Sequence, residues 1–294
     1  MYKKKIVILI DGHSYLYRIY YSKIKKIHAH LICTQVIYSF LYTLKNILKY
    51  YKPEKLIIIF DSKKKNFRNK LFQQYKNNRP NMPNLLKLIL FKIQNILINI
   101  GIPILIIPTV EADDVIGTLS KISEKKGKFV LIITCDKDLS QLINNNIYVL
   151  NHINNSILNV ETIKKKYGIV PKLIIDFLSL TGDTVDNIPG VVGIGKKTAS
   201  ILIKNIGNIK KIYNNLNKIN TLIIKGKKNI IYKLQNGKKM AFLSYQLAKI
   251  KIDVNLNKTY ESLNFCSLYS PCTFNNLYYI KIIYDIKNTI INII

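Results

Sequence analysis

The chain has 294 residues, with 46 Lys or Arg against 16 Asp or Glu and a formal net charge of +30. Hydrophobic residues make up 48% of it, enough for a sizeable core and too many for wholesale disorder. A charge so one-sided repels itself, so a polyanion fits as partner: nucleic acid first, an anionic membrane surface second, a small acidic substrate least.

AT-rich codons account for part of the Lys, Ile, Asn and Tyr abundance, which makes the placement of the acids more informative than the total charge. Cys33, Cys135, Cys266 and Cys272 form no CxxC pair, so neither a disulfide framework nor a zinc site is expected. The apolar run Ile6–Ile10 is too short for a signal peptide. Ile93–Val110 carries no charge but is broken by Asn95, Asn99, Gly101, Pro103 and Pro108, whereas a membrane helix needs about 20 apolar residues. A cytoplasmic protein is expected.

In chain order, Ile6–Ile10, Leu56–Phe60, Ile102–Ile107, Phe129–Ile133 and Ile147–Leu150 are short Ile- and Val-rich runs bounded by charged or turn residues. Each is predicted to be a strand covered on both faces, which removes the need for polar alternation. Helical spacing between them, at Val36–Tyr51, Leu85–Asn99 and Asp113–Lys126, predicts an α/β fold with a mostly parallel twisted sheet. From Thr162 the pattern turns helical, clearest at Pro171–Leu180 and Lys196–Lys204. The expected division is an α/β core over 1–165 and a helical region over 166–294, joined by a packed junction. Past about residue 255 the pattern is uninformative.

The acids cluster. Asp11 follows the first predicted strand, Asp61 the second, Glu111, Asp113 and Asp114 the third, and Asp136 and Asp138 the fourth. Asp183 and Asp186 sit in the turn-like segment 181–190. Strand ends of a parallel sheet share one edge, where function gathers. Two unit charges about 5 Å apart repel by about 3 kcal/mol at an effective dielectric near 20. The motif segments supply only Lys137 as a counter-charge, so hard divalent cations on oxygen ligands, Mg²⁺ or Mn²⁺, are the expected neutraliser. Asp as a helix cap explains one or two of these positions only. An oxygen-ligated metal site in a basic protein suggests metal-assisted phosphodiester hydrolysis.

At these residues the sequence resembles the 5′ nuclease domain of bacterial DNA polymerase I, a member of the flap endonuclease family. The resemblance rests on Asp11-Gly-His-Ser-Tyr-Leu-Tyr-Arg18, Phe60-Asp61, Phe67-Arg68, Tyr75-Lys-Asn-Asn-Arg-Pro80 and Glu111-Ala-Asp-Asp-Val-Ile-Gly117, then Thr134-Cys-Asp-Lys-Asp138, Gly182–Gly190 and Gly193–Ala199. It implies a PIN-like core that cuts branched or nicked DNA near a 5′ single strand, removing RNA primers and displaced 5′ strands as a monomer supplied by a DNA polymerase. It implies one ion on Asp11, Asp61, Glu111 and Asp113 with Asp114 close by, and a second on Asp136, Asp138, Asp183 and Asp186. It also implies a helix–three-turn–helix at about 180–204 that grips duplex phosphate through Gly190, Gly193, Gly195, Lys196, Lys197 and Thr198 and often carries K⁺.

Residues 62–84 mix cations with Phe67, Phe72 and Tyr75, a composition suited to single-stranded DNA. The resemblance makes this segment a mobile helical arch, with Arg68, Tyr75, Lys76 and Arg79 matching its motif; Arg18 is a further phosphate-contact candidate. Relatives usually carry glycine at Cys135 and a small polar residue at His13, and His13 is read as added positive charge. His28, His30 and His152 are expected to be surface or core residues, and Asp176 a surface or paired one. No room remains for polymerase or proofreading domains, so a free-standing nuclease or an excised fragment is expected. Two rivals stay open: a related carboxylate ribonuclease, and a binding scaffold that no longer turns over.

Overall fold

The computed structural model describes residues 5–24, 31–265 and 277–293; His28, His30, Cys266 and Cys272 lie outside the described residues. Its centre is a six-stranded sheet of β1 (Ile6–Asp11), β2 (Lys55–Ile59), β3 (Ile104–Leu105), β4 (Phe129–Ile133), β5 (Ile147–Asn151) and β6 (Ser156–Leu158). The spatial order is β3-β2-β1-β4-β5-β6, parallel except for β6, which pairs antiparallel with β5.

Alternate residues of the central strands serve two cores. Val7, Leu9, Ile57, Ile59, Val130 and Ile132 face α5 (Ala112–Lys125) and the helices after residue 160. Ile8, Ile10, Leu56, Ile58, Leu131 and Ile133 face α1 (Gly12–Ile24), α2 (Ile32–Tyr51) and α4 (Asn84–Asn99). Both faces are covered, so the strands read as unbroken apolar runs. The first core also takes in α6 (Val160–Tyr167), α7 (Ile174–Thr181), α8 (Lys196–Ile206), α9 (Ile209–Asn214), α10 (Lys227–Asn236) and α11 (Lys238–Ala248). The second takes in α12 (Leu277–Ile291), which packs on α2.

The chain leaves β1 toward β2 on one side, and β4 lies on the other. The connections after β1 and β4 therefore diverge, opening a crevice at the carboxyl ends where an open α/β sheet binds its ligands.

Several expectations need correction. The run Ile102–Ile107 pairs only over Ile104–Leu105, because Pro103 and Pro108 remove backbone donors on either side. β6 was not anticipated. Segment 62–84 is no helical arch: it holds only α3 (Phe67–Leu71), capped by Asn66, followed by turns. Asp176 is buried, and its Oδ1 accepts the Ile209 N–H at 2.9 Å, fastening α9 to α7.

The turn between α7 and α8 depends on glycine at one place above all. Gly190 has φ +63° beside Gly182, and a Cβ there would lie 2.3 Å from the Gly182 nitrogen. Gly195 at the start of α8 has an extended backbone with nothing within 4 Å of a built Cβ, so neither conformation nor space demands glycine there. Gly190→Ala is expected to lower the stability by about 2 kcal/mol or more, and Gly195→Ala by about 1 kcal/mol or less, in urea unfolding. Equal losses would contradict the backbone reading.

Candidate active site

Asp11 ends β1 on the first N–H groups of α1: its Oδ1 accepts from Ser14 N at 3.0 Å and its Oδ2 from Thr134 Oγ1 at 2.9 Å. Thr134, just past β4, also receives the Asp136 N–H on its hydroxyl at 3.0 Å, so one side chain ties together the ends of the two central strands. Asp136 Oδ1 then accepts from Asp138 N at 2.8 Å. Asp61 reaches across to α5, where its Oδ1 accepts the Ala112 N–H at 2.8 Å. That amide is unpaired within its own helix, and a carboxylate there is favoured by the helix dipole.

The first turn of α5 brings Glu111, Asp113 and Asp114 to the same edge, but they face different ways. Asp113 borders the crevice. Glu111 and Asp114 are buried under Arg68, itself 2% exposed. Arg68 donates through Nη1 to Glu111 Oε2 and Asp114 Oδ2 and through Nη2 to Asp114 Oδ1, each at 2.7 Å. Its remaining N–H groups go to the carbonyls of Lys249 at 2.7 Å and Leu247 at 2.8 Å. Glu111 also accepts from Asn66 Nδ2 at 3.0 Å, Lys76 Nζ at 2.8 Å and Tyr75 Oη at 3.2 Å.

Asp183 and Asp186 enter from the turn after α7, closed by the Asp183–Ile188 bridge. This turn meets segment 72–79. Lys76 N donates to the Asp186 carbonyl at 3.0 Å, Asn187 Nδ2 to the Gln74 carbonyl at 2.7 Å, and Asn78 Nδ2 to the Thr184 carbonyl at 2.7 Å. Lys76 Nζ lies 3.6 Å from Asp186, Arg79 forms an ion pair with Asp186, and Lys137 pairs with Asp183 at 2.8 Å.

The outcome is a cavity of about 520 Å³ bordered by Asp11, Asp61, Asp113, Asp136, Asp183 and Asp186, with Lys76, Arg79 and Lys137 at its wall. Glu111, Asp114 and Asp138 stand behind it. Three counter-charges join the expected Lys137: with it, Arg68, Lys76 and Arg79 hold Glu111, Asp114, Asp183 and Asp186. Sequence reading assigned those three to DNA contact and missed this role because they come from a different segment.

Among the described residues, no Lys or Arg pairs with Asp11, Asp113, Asp136 or Asp138, and it is these whose proton affinity rises. Burial and then the charge of Asp61 push Asp11 up to about 7. Burial and then Asp136 push Asp113 well above the usual range; burial and then Asp136, Asp186 and Asp183 do the same to Asp138. Burial also raises Asp136, against the Asp138 N–H bond. Glu111 moves oppositely: burial disfavours its charge, but Lys76 and Arg68 outweigh it. Asp138 Oδ1 is buried with no hydrogen-bond partner.

Several binding candidates stand elsewhere than expected. Arg68 and Tyr75 are buried, so their roles lie within the fold rather than on a DNA surface. Phe72 packs against the first core, and Phe67 lies under Arg68 and Lys251. Arg18 sits on the other side of α1, with Nη2 donating to the Ile153 carbonyl at 2.9 Å. Lys196 and Lys197 are exposed and Thr198 half-buried at the start of α8. His13 adds no charge: burial lowers its proton affinity against Asp61, and its Nδ1 accepts the Asp61 N–H at 3.0 Å. Cys135 is half-buried, with its thiol pushed up by burial and Sγ 3.3 Å from His152 Nε2. Ser14, Thr134 and Asn66 were missed as positioning residues; the adjacency of Ser14 and Thr134 to the motif aspartates was their only signal.

Comparison with known proteins matches this arrangement to two family models, the 5′-3′ exonuclease N-terminal resolvase-like domain over residues 6–168 and the 5′-3′ exonuclease C-terminal SAM fold over 169–270. The chain belongs to the 5′-3′ exonuclease family. It is 50% identical over 275 residues to a 5′-3′ exonuclease of Buchnera aphidicola subsp. Baizongia pistaciae, covering 93% of this chain and 90% of that one. DNA polymerase I of Pseudomonas aeruginosa is 41% identical over 258 residues, covering 87% of this chain but 28% of the polymerase. In fold the chain resembles T5 5′-exonuclease, solved with divalent zinc ions, at a TM-score of 0.69 and 20% identity, covering 98% and 99% of the two chains.

Arg68→Met is expected to cost about 3–5 kcal/mol in urea unfolding, since it strands two buried carboxylates. A loss within about 0.5 kcal/mol, as for an exposed Arg, would contradict the buried assignment.

Proposed function

We propose that the chain is a divalent-metal-dependent 5′–3′ exonuclease and structure-selective 5′-flap endonuclease on DNA, with Mg²⁺ as the working ion and Mn²⁺ able to replace it. The carrying observation is the convergence of oxygen-only carboxylates on one crevice, with Asp11, Asp113, Asp136 and Asp138 lacking a basic partner among the described residues. Mutual repulsion and the orphaned Asp138 Oδ1 are what a bound cation would relieve. Among the described residues no three such groups already stand as a ligand set, so loading requires side-chain closure.

On this reading Asp11, Asp61, Glu111 and Asp113 hold one ion, with Asp114 close by, and Asp136, Asp138, Asp183 and Asp186 a second. Two ions there supply Lewis-acid activation of water and charge stabilisation of the leaving oxygen. The chain's own part is positional. Ser14, Thr134 and the α5 amides fix the carboxylates, and Lys76 and Arg79 at the cavity wall offer their charge to an entering phosphate. Gly193, Gly195, Lys196, Lys197 and Thr198 form the duplex contact, where the free amides of α8 suit phosphate and K⁺ is a further candidate; Gly190, also expected there, is buried with its N–H on Ser244 Oγ at 2.9 Å and shapes the turn instead. Residues 1–165, joined by Asp183 and Asp186 from the turn after α7, carry the chemistry, and the rest of 166–294 the duplex grip. The physiological substrates are primer RNA and displaced 5′ strands left by a polymerase, met by a cytoplasmic monomer. No helix among the described residues is long and apolar enough to cross a membrane.

The test is a 5′-flap DNA labelled on the flap strand, incubated with Mg²⁺ or with EDTA. Cleavage near the junction is expected, abolished by EDTA and reduced more than about 100-fold in Asp113→Ala Asp138→Ala. Tight binding without cleavage in Mg²⁺ and Mn²⁺ would contradict it, and cleavage of RNA alone would favour a ribonuclease.

A further inference from the structure

Helix α1 separates two cavities. Asp11, Ser14 and Tyr17 border the carboxylate crevice, whereas Tyr15, Arg18 and Ile19 border a second cavity of about 560 Å³ between α1, α2 and the ends of β4 and β5. Among the described residues the second cavity is lined by no carboxylate. Its volume is that of a small-molecule site, and its wall combines aromatic faces with hydrogen-bonding groups.

Four features converge there. Tyr15 is 1% exposed and borders the cavity, and its buried hydroxyl makes no hydrogen bond of normal geometry, the Thr43 side chain being the polar group that bears on it. Thr43 itself donates to the Ser39 carbonyl at 2.8 Å. A buried hydroxyl so weakly bonded gains a stronger partner when a polar ligand fills the site. Tyr38 and Tyr42 stack at the wall, ring centroids 6.1 Å apart and 15° from parallel, and stay 39% and 48% exposed. Arg18 uses one N–H on the Ile153 carbonyl, and its guanidinium carries further donors. His152, behind Tyr15, is lowered to about 4 by burial and then by Arg18, so it is neutral near pH 7 and adds no second charge beside Arg18.

We propose that this cavity binds a nucleoside monophosphate, with the base against Tyr38 and Tyr42, a polar edge on the Tyr15 hydroxyl and the phosphate on Arg18. The ligand is either a free mononucleotide or the terminal unit of a DNA strand. Aromatic faces accept any base, so no sequence preference follows. A nuclease site across α1 gives this pocket access to both sources.

The experiment is calorimetric titration of the metal-free protein in EDTA with deoxyadenosine monophosphate, and separately with a 5′-phosphorylated trinucleotide. Saturable binding is expected, weakened about fivefold by Tyr15→Phe and about tenfold by Tyr42→Ala. Arg79→Ala removes any phosphate binding at the other cavity, and the saturable component that Tyr42→Ala weakens is expected to remain. Tyr15→Phe also leaves the Tm within about 3 °C, because the hydroxyl it deletes is only weakly bonded. Tighter binding of the trinucleotide assigns the ligand to a strand end, and equal binding to a free nucleotide. No binding of either, or binding lost in Arg79→Ala but kept in Tyr15→Phe and Tyr42→Ala, would overturn the proposal.

Discussion

Carboxylate repulsion at one edge of the sheet is the constraint around which the molecule is organised. A parallel sheet with order β3-β2-β1-β4-β5 brings its strand ends together, and this chain places an acid at or just beyond four of them. Left alone, such a cluster opposes folding. It is met in two ways. Arg68, Lys76, Arg79 and Lys137 pair with Glu111, Asp114, Asp183 and Asp186, and Asp11, Asp113, Asp136 and Asp138 meet it by raised proton affinity.

The division of labour among the acids follows from where each cation comes from. Arg68 is locked by buried carboxylates and by the carbonyls of Leu247 and Lys249, so it welds segment 66–72 to α5 and to the chain leaving α11. Lys251 N and Val254 N continue that seam on Asp114 and Thr118. Asp114 is thereby a framework residue. Lys76 and Arg79 are different: they border open space, and the partner they share, Asp186, borders the crevice. A phosphate or a divalent ion entering there competes directly for those ion pairs.

Much of this was legible in the sequence. Buried parallel strands advertise themselves as Ile- and Val-rich runs, and acids after each run place a site at the sheet edge before any coordinates exist. What stayed hidden was direction. Nothing in the spacing of Phe67-Arg68 or Tyr75-Lys76 tells that Arg68 and Tyr75 turn inward while Lys76 turns to the cavity. That choice is made by Asp114 and by carbonyls 179 and 181 positions away along the chain. The same long-range dependence explains the missed counter-charges, whereas β6 was missed because three residues carry too little pattern.

Lys76, paired with Glu111 and close to Asp186, occupies charge space that a divalent ion would take. Calorimetric titration of Mg²⁺ into the wild-type protein and Lys76→Met, without DNA, tests it most directly. Tighter Mg²⁺ binding in Lys76→Met is predicted, because Glu111 and Asp186 lose a competing cation. Equal or weaker binding would mean that Lys76 does not compete for the site, and the charge balance described here would be wrong.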